Sequence, residues 1–331
     1  MAEQVRGDFV EGMKKTGYKY FYETHDQHPS VHPELFRPET LDAAYVTWTI
    51  IVEEDKLEEK TSELQDAPTS ATIEGWTIAM RARTYHKSKV WSKDTVRDHQ
   101  RIENLVIAAS KQWGNGVFIN KEEFYADFFN SGGLTAGKDA TFDNSVPGGS
   151  YTDASGDGVY DGTAASVIPF FNLSNNLRTT KANATFHNSI TGTLNEGNLD
   201  AALIRLEYTN AYSERNLQMK QMGDTLLIPR HLQITAEKLL ESTGGTTDAH
   251  AGIVNPFKGR LRPVTWRFLT DTDAWFVGIA KKGIVMGNRQ EPEINMFIDQ
   301  KNGAFWAVID VRFGGTVEDF RPWVGVNLST S

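Results

Sequence analysis

Two strand-like segments on either side of a charged stretch constrain what this chain can fold into. Apolar side chains recur at every second position of both segments, which is the period of a β-strand: Val46, Trp48, Ile50 and Val52, then Trp76, Ile78 and Met80. Between them lies EEDKLEEKTSELQDAPTS. The pattern predicts a long hairpin with a charged tip. Because a two-stranded hairpin is marginal alone in water, its apolar positions require a partner surface, in this chain or in a neighbouring copy.

Four other segments have the period of amphipathic helices. The strongest follows Ser92, which can cap it, and continues with apolar residues at helical spacing to Trp113. Gly114 is expected to end this helix, and a shorter one is expected to follow, with Asn120 and Glu123 in capping-box spacing. Two more helices are expected in NEGNLDAALIRLEYTNA and in QITAEKLL, the second after a short apolar strand and a proline.

The C-terminal third is mostly strand-like, and alternation is clearest at Phe305, Ala307, Ile309, Val311 and Phe313. Helices and strands do not alternate as they do in a doubly wound fold, and no internal repeat is visible. The mixture predicts the α+β class.

Two segments lack a periodic pattern. Residues 1–43 contain Pro29, Pro33 and Pro38, which disfavour a helix, so the segment is expected to be an extended arm whose aromatic side chains pack on another surface. Residues 131–192 are rich in Gly, Ser, Thr and Asp and predict loops or short strands in a surface elaboration.

Composition narrows the function. The 331 residues include no cysteine, which excludes disulfides and cysteine nucleophiles. The net charge is −9, and no Lys/Arg-dense stretch stands out, so tight binding of nucleic acid is not expected, although a protein that surrounds DNA without holding it remains compatible. No apolar run has transmembrane length, and the polar N-terminus predicts no signal peptide.

One stretch, DASGDGVYDG, matches part of a calcium-binding loop. Asp153, Ser155, Asp157 and Asp161 stand at positions 1, 3, 5 and 9 of an EF-hand, but position 12 is Ala164 instead of the bidentate glutamate. Asp and Gly are also common in turns for backbone reasons. The turn is the favoured interpretation and these four residues are weak metal candidates.

No other motif carries chemistry. His25, His28 and His32 could hold zinc, but Pro29 breaks the helix that would align them. The chain has no P-loop, no G-x-G-x-x-G after a strand and no G-x-S-x-G elbow, so no catalytic residue and no cofactor are predicted.

The order of these parts resembles the major capsid proteins of tailed double-stranded DNA bacteriophages, and among them the Mu-like head-subunit group. The likeness is carried by several stretches in order: KVWSKDTVRDHQ, YDG, LNEGNLDAAL, DTLLIPRHLQITAEKLLES, VNPFKGRLRPV, TDTDAWFVG and RPWVGV. The resemblance implies the α+β capsid fold shared with encapsulins and the herpesvirus capsid floor. It assigns the parts as follows: N-terminal arm 1–43, E-loop hairpin 44–90, peripheral-domain (P-domain) spine-helix region 91–130, Gly-rich loop or insertion 131–192, mostly axial domain (A-domain) 193–300, and C-terminal P-domain strand 301–331.

The resemblance further implies self-assembly, as hexamers and pentamers, into an icosahedral head shell that encloses the phage DNA, without catalysis and without a membrane. It implies a location in the virion, assembly in the host cytoplasm, and a separate scaffolding protein, a portal and a possible decoration protein as partners. The residues expected to contact neighbouring subunits are Trp48, Glu53, Glu54, Lys56, Glu58, Glu59, Lys60 and Trp76 in the hairpin, and Phe21, Tyr22 and Phe36 in the arm.

Three alternatives remain at this stage. An encapsulin-like nanocompartment shell would share the fold and package enzyme cargo. A calcium-dependent β-rich binding module would use the DASGDGVYDG stretch, but it leaves the helices and the hairpin unexplained. An enzyme is supported by chain length alone.

Overall fold

A computed structural model describes residues 6–27, 29–51, 74–98, 102–130, 170–171, 187–212, 217–242 and 254–328; at 6–10, 48–51, 74–79, 96–98 and 102 it describes the backbone alone. The helices are α1 (Arg6–His25), α2 (His32–Leu35), α3 (Lys93–Asp98), α4 (Ile102–Asn130), α5 (Glu196–Ile204) and α6 (Gln233–Glu241). A π-helix, Arg205–Thr209, continues α5, and a 3₁₀ turn, Arg230–Leu232, precedes α6.

The strands are β1 (Arg37–Thr40), β2 (Tyr45–Ile51), β3 (Glu74–Arg81), β4 (Arg83–Trp91), β5 (Ser189–Ile190), β6 (Thr225–Ile228), β7 (Arg262–Thr265), β8 (Trp275–Gly278), β9 (Ile284–Ile298), β10 (Phe305–Val317) and β11 (Trp323–Val326). They form a four-stranded sheet in the order β1-β9-β10-β4, a five-stranded sheet in the order β5-β11-β8-β6-β7, and the separate pair β2-β3. The α+β class predicted from the sequence is confirmed.

The predicted hairpin is present in the described backbone. β2 and β3 are antiparallel, with Val46 opposite Met80 and Trp48 opposite Ile78. The charged tip between them lies outside the described residues. β3 is followed after one residue by β4, which pairs with β10, so the hairpin emerges directly from the edge of the four-stranded sheet.

The expectation of an extended N-terminal arm is wrong for its first half, which is the 20-residue helix α1. The prolines disfavour a helix only near their own positions, and α1 ends at His25, before Pro29. Burial of Gly17 and Phe21 on one side of α1 shows why the helix is stable in this protein. α1 packs along α4, which supplies the apolar surface that the arm was expected to require.

The predicted end of the long helix at Gly114 is also wrong, because α4 continues to Asn130 and includes the expected second helix. Ser92 does act as a cap, but for the short α3, where its hydroxyl oxygen accepts from the backbone N–H of Thr95 at 3.1 Å. Gly114 has a packing role instead. A Cβ there would lie 2.6 Å from the backbone oxygen of Phe21, so the missing side chain lets α1 approach α4.

The C-terminal half of α4 joins the two sheets through aromatic packing. The ring of Phe124 lies 5.3 Å from that of Phe313 in the four-stranded sheet, centroid to centroid. The ring of Phe129 lies 5.0 Å from Phe276 and 5.2 Å from Trp323 in the five-stranded sheet. The alternating residues predicted on β10 are all buried in this core: Phe305, Ala307, Ile309, Val311 and Phe313.

The other face of the five-stranded sheet packs on α5 and α6. Asn195 caps α5 by accepting from the N–H of Asn198 at 2.8 Å, so this helix begins where the sequence predicted. The apolar positions at helical spacing in these two segments are buried, with Leu232 partly so: Leu199, Ala202, Leu203 and Leu206, then Leu232, Ala236, Leu239 and Leu240. β6, the short apolar strand that precedes α6, is buried at every position, as its apolar run indicates.

One expected division of the chain, which stays a prediction, falls between two strands that pair with each other. The boundary at residue 300 separates β9 from β10, yet these are antiparallel neighbours from Phe305 opposite Ile298 to Val317 opposite Ile284. β9 therefore belongs to the sheet on which α4 packs. A tight turn near Gly303, where φ is +67°, reverses the chain and so allows β9 and β10 to pair.

Candidate assembly surfaces

The hairpin is anchored to its own subunit at its base. Buried Met80 packs with Leu41, Ala82 and Val285, and with partly buried Val46. This cluster is small beside the main core, and it lies at the end of the hairpin nearest the sheet. Since two strands alone are marginal in water, the rest of the hairpin is a candidate surface for another chain.

The hairpin residues named as contacts are placed only in part. Trp48 and Trp76 lie in β2 and β3, where the backbone alone is described. The six charged candidates of the tip lie outside the described residues: Glu53, Glu54, Lys56, Glu58, Glu59 and Lys60. Their role in contacts between subunits stays a prediction.

The structure separates the three aromatic candidates of the arm. Phe21 and Phe36 have no exposed surface, because Phe21 packs against α4 and Phe36 packs among Tyr125, Phe128 and Phe129. These two are therefore core residues of the subunit itself, which corrects their expected position at its surface. Tyr22 is 41% exposed and remains available to a neighbour.

A groove lies between β4 and α4, and we name it the basic groove. Its cavity of about 430 Å³ is lined by Thr84, Tyr85, His86, Lys87, Lys89, Gln112, Trp113, Gly116, Val117, Asn120, Ile309 and Val311. Among the described residues, the lining includes two lysines and no carboxylate, on a chain whose net charge is −9. The groove can accept a negatively charged partner that also has an apolar side chain.

An unpaired donor lies in the wall of the basic groove. The indole Nε1 of Trp113 is buried and has no hydrogen-bond partner among the described residues. A buried polar group without a partner costs free energy, about 1–3 kcal/mol, which an incoming acceptor would recover. Lys89, by contrast, donates to the amide oxygen of Gln112 and so joins β4 to α4 across the groove.

The sequence interpretation missed these lysines because it judged charge over the whole chain. From residue 75 to residue 93 there is no Asp or Glu, and the same stretch contains Arg81, Arg83, Lys87, Lys89 and Lys93. The statement that no Lys/Arg-dense stretch stands out is therefore corrected for β4. The positive charge is concentrated in this short stretch of sequence. β4 can present it to a partner because the strand lies at the edge of its sheet.

The outer face of the four-stranded sheet carries an exposed apolar row. Trp306 lies opposite Val90 on one side and Phe297 on the other. The rings of Phe297 and Trp306 are stacked with centroids 6.3 Å apart, and Phe297 is 47% exposed. Apolar side chains grouped in this way at a surface are typical of a contact with another protein.

A buried carboxylate links the arm, α4 and the five-stranded sheet. Glu122 accepts from the backbone N–H of Val31 at 2.9 Å, from Nδ1 of His32 at 2.7 Å and from the indole N–H of Trp266. Burial holds the pKa of His32 below its ordinary value, although Glu122 partly opposes this effect. His32 is therefore neutral at neutral pH, and its N–H donates to the carboxylate.

Tyr125 completes this cluster. Its ring stacks on that of His32 at 4.7 Å, and its hydroxyl donates to the backbone oxygen of Gly314 at 2.9 Å. Burial raises the pKa of Tyr125, so the hydroxyl keeps its proton. The cluster is a structural junction whose groups are satisfied by one another.

The metal candidates do not form a site in the described part of the chain. His25 contacts Asp26 and His32 contacts Glu122, whereas His28 lies outside the described residues. The four candidates of the calcium-like loop also lie outside them: Asp153, Ser155, Asp157 and Asp161. Among described residues no three His, Asp or Glu side chains are grouped to hold a metal. None of the described helices is long and apolar enough to cross a membrane.

A long helix packs on a mixed, mostly antiparallel sheet, and the separate hairpin and the exposed apolar row are candidate surfaces for association with other chains. The sequence matches the family model for phage capsid proteins over residues 77–326, and the chain therefore belongs to the phage capsid protein family. No curated protein matches the sequence. The family establishes a structural protein of the phage shell, and the nanocompartment and the calcium module are not favoured by any comparison.

Solved structures are similar to the chain over nearly its whole length. The capsid of cyanophage P-SCSP1u matches with a TM-score of 0.50 at 11% identity, over 92% of this chain and 89% of that one. A chain of Mycobacterium phage Che8 matches with a TM-score of 0.49 at 12% identity, over 92% and 93%. The capsid of an empty GTA particle matches with a TM-score of 0.49 at 10% identity, over 90% of each. The capsid fold predicted from the sequence is confirmed.

Proposed function

We propose that this chain is the major subunit of an icosahedral head shell that encloses double-stranded DNA, and that its hairpin lies on the neighbouring subunit. The observation that carries this proposal is the hairpin itself. At its base Met80 on β3 packs with Leu41, Ala82 and Val285, and β2 and β3 form an antiparallel pair that is separate from both larger sheets. A second copy supplies the surface that a two-stranded hairpin requires in water.

The basic groove is the proposed seat of the hairpin tip of the next copy. Residues 53–60 contain five carboxylates and two lysines, and the described lining of the groove has Lys87 and Lys89 and no carboxylate. Leu57, between the charged residues of the tip, matches the apolar floor at Val117 and Ile309. Complementary charge of this kind directs the encounter and selects the correct partner.

Further partners follow from a role as a shell subunit. We propose hexamers and pentamers as the assembly units, a separate scaffolding protein, a portal, and a decoration protein on the outer surface. The exposed row of Val90, Phe297 and Trp306 offers such a partner an apolar contact. Assembly would take place in the host cytoplasm, and the role of the chain would be structural without catalysis.

The test deletes residues 53–70 in a background where the unaltered chain forms shells. We expect a soluble, folded subunit, because the main aromatic core is formed by residues of other elements, but no closed shells by negative-stain electron microscopy and light scattering. Normal shells from the deleted chain would overturn the proposed role of the hairpin.

A charge-reversal cycle tests the groove separately. Lys87→Glu with Lys89→Glu is expected to block assembly, and adding Glu58→Lys with Glu59→Lys is expected to restore it at least in part. The matched control, Lys220→Glu with Lys301→Glu, makes the same change of charge on exposed residues elsewhere and should assemble normally. Assembly by the groove variant without the compensating change would place the tip elsewhere.

A further inference from the structure

Two exposed lysines share one tyrosine ring on the surface formed by α1 and α4. The Nζ atom of Lys19 lies 5.6 Å from the ring centroid of Tyr20, and that of Lys111 lies 5.1 Å from it. Each cation is attracted to the electron-rich ring face. The ring therefore holds two ammonium groups, one from each helix, in the same small region.

Lys15 extends this pair into a face of three lysines, which we name the lysine face. It lies four residues before Lys19 on α1, and both are exposed. Like charges at this spacing are neighbours on a helix surface and destabilise an isolated helix. Glu11 and Glu23 stand one turn beyond the two lysines, and among the described residues no carboxylate lies within ion-pair distance of any of the three.

The lysine face differs from the basic groove in what it can bind. The basic groove has an apolar floor, which suits a polypeptide segment with an apolar side chain. The lysine face is a convex helix surface with ammonium groups and one phenol ring. A partner with repeated negative charge and no need for an apolar pocket fits it, and the phosphate backbone of DNA has that chemistry.

We propose that the lysine face contacts phosphate groups of the DNA enclosed by the shell, an inference that rests on the proposed function. With three lysines on a chain of net charge −9, each contact is weak and is readily lost when salt is raised. Many copies in one shell would still add such contacts along the DNA. Contact of this kind carries no sequence information, because it is made to the backbone.

The experiment measures binding of a short DNA duplex to the purified full-length chain between about 50 and 200 mM salt. The variant Lys15→Gln, Lys19→Gln, Lys111→Gln is compared with a control of equal charge change on exposed lysines elsewhere, Lys220→Gln, Lys238→Gln, Lys301→Gln. The slope of log K against log salt is negative. We expect its magnitude to decrease by about 2 to 3 in the first variant and to stay unchanged in the control.

Several outcomes would overturn the inference. They are no binding by the unaltered chain, an unchanged slope in the first variant, or an equal loss in the control. Polyglutamate serves as the second probe, and equal loss of polyglutamate binding in the first variant would identify an acidic polypeptide as the partner. Shell formation is scored in parallel by electron microscopy. Normal shells with unchanged DNA binding would contradict the role of the lysine face alone. Absence of shells from the unaltered chain when it is produced together with the scaffolding protein would contradict the proposed function.

Discussion

The C-terminal half of α4 and the β2-β3 hairpin show two ways in which one chain obtains its packing. Phe124 and Phe129 on α4 contact aromatic rings from both sheets within the same subunit. Among the hairpin side chains that the structure describes, Met80 on β3 is buried, in a cluster of four buried residues at the base of the hairpin. The first region is complete within one subunit, and the second is the proposed point of contact with the next.

This difference separates folding from assembly. A residue of the α4 core stabilises the subunit before any association takes place, whereas a residue of the hairpin contributes when a second copy is present. Substitutions in the two regions should therefore affect different measurements.

The largest expected effect comes from Phe129→Ala. The side chain is fully buried among Phe276, Trp323 and Trp266, so its removal should lower the free energy of unfolding by about 3–5 kcal/mol in urea titrations. The matched substitution in the hairpin, Trp48→Ala, should change it by less than about 1 kcal/mol and instead impair shell formation. A large loss of subunit stability in Trp48→Ala would break the comparison.

A smaller effect is expected where α1 crosses α4. In Gly114→Ala the new Cβ would meet the backbone oxygen of Phe21 at 2.6 Å, and the required shift should cost about 1–3 kcal/mol. Two residues further along the same helix, Gly116→Ala meets no atom within 4 Å and should raise the free energy of unfolding by up to about 1 kcal/mol. Thermal melting of the two variants checks the difference in sign, and equal effects would mean that the helices do not cross closely at Gly114.

The smallest expected effect depends on pH at the Glu122 junction. Burial lowers the pKa of His32 in the folded chain, and Lys121 and His25 add to the lowering, whereas Glu122 opposes it. The unfolded chain therefore binds the proton first. The free energy of unfolding should fall as pH drops below about 6.5, by about 1.4 kcal/mol for each unit by which the pKa is lowered.

His32→Asn isolates this effect, because the amide can still donate toward Glu122 but does not titrate. We expect a lower free energy of unfolding at every pH, from loss of the stacking on Tyr125, and a smaller decrease between pH 7.5 and 5.5 than in the unaltered chain. Urea titrations at the two pH values measure both quantities. An equal decrease in both proteins would assign the pH dependence to other groups.

The sequence predicted elements whose signal is local. The alternation in β10 and in the hairpin and the positions of α5 and α6 all depend on neighbouring residues, and each was found where it was expected. The resemblance in the order of motifs was enough to predict the capsid fold, which the family match and the cyanophage capsid confirm.

The errors share one physical cause, which is that glycine, proline and aromatic residues were interpreted without their tertiary neighbours. Gly114 is typical of a helix end, yet α1 packs over it and the helix continues. The prolines after residue 28 disfavour a helix only near their own positions, but that effect was wrongly applied to the residues before them, where α1 forms. Phe21 and Phe36 were expected at an interface because aromatic residues in an arm need a partner, and the partner is α4 of the same chain.

By itself the sequence determined the class of fold, the hairpin, and the likeness to shell-forming proteins, because each of these depends on periodicity, composition or the order of motifs. Only the tertiary structure brought Lys87 and Lys89 against Trp113, placed Lys19 and Lys111 on one tyrosine ring, and joined β9 to β10. These arrangements bring together residues that are distant in sequence. Which of them meet is decided by burial and the exclusion of water, and both depend on all the elements at once.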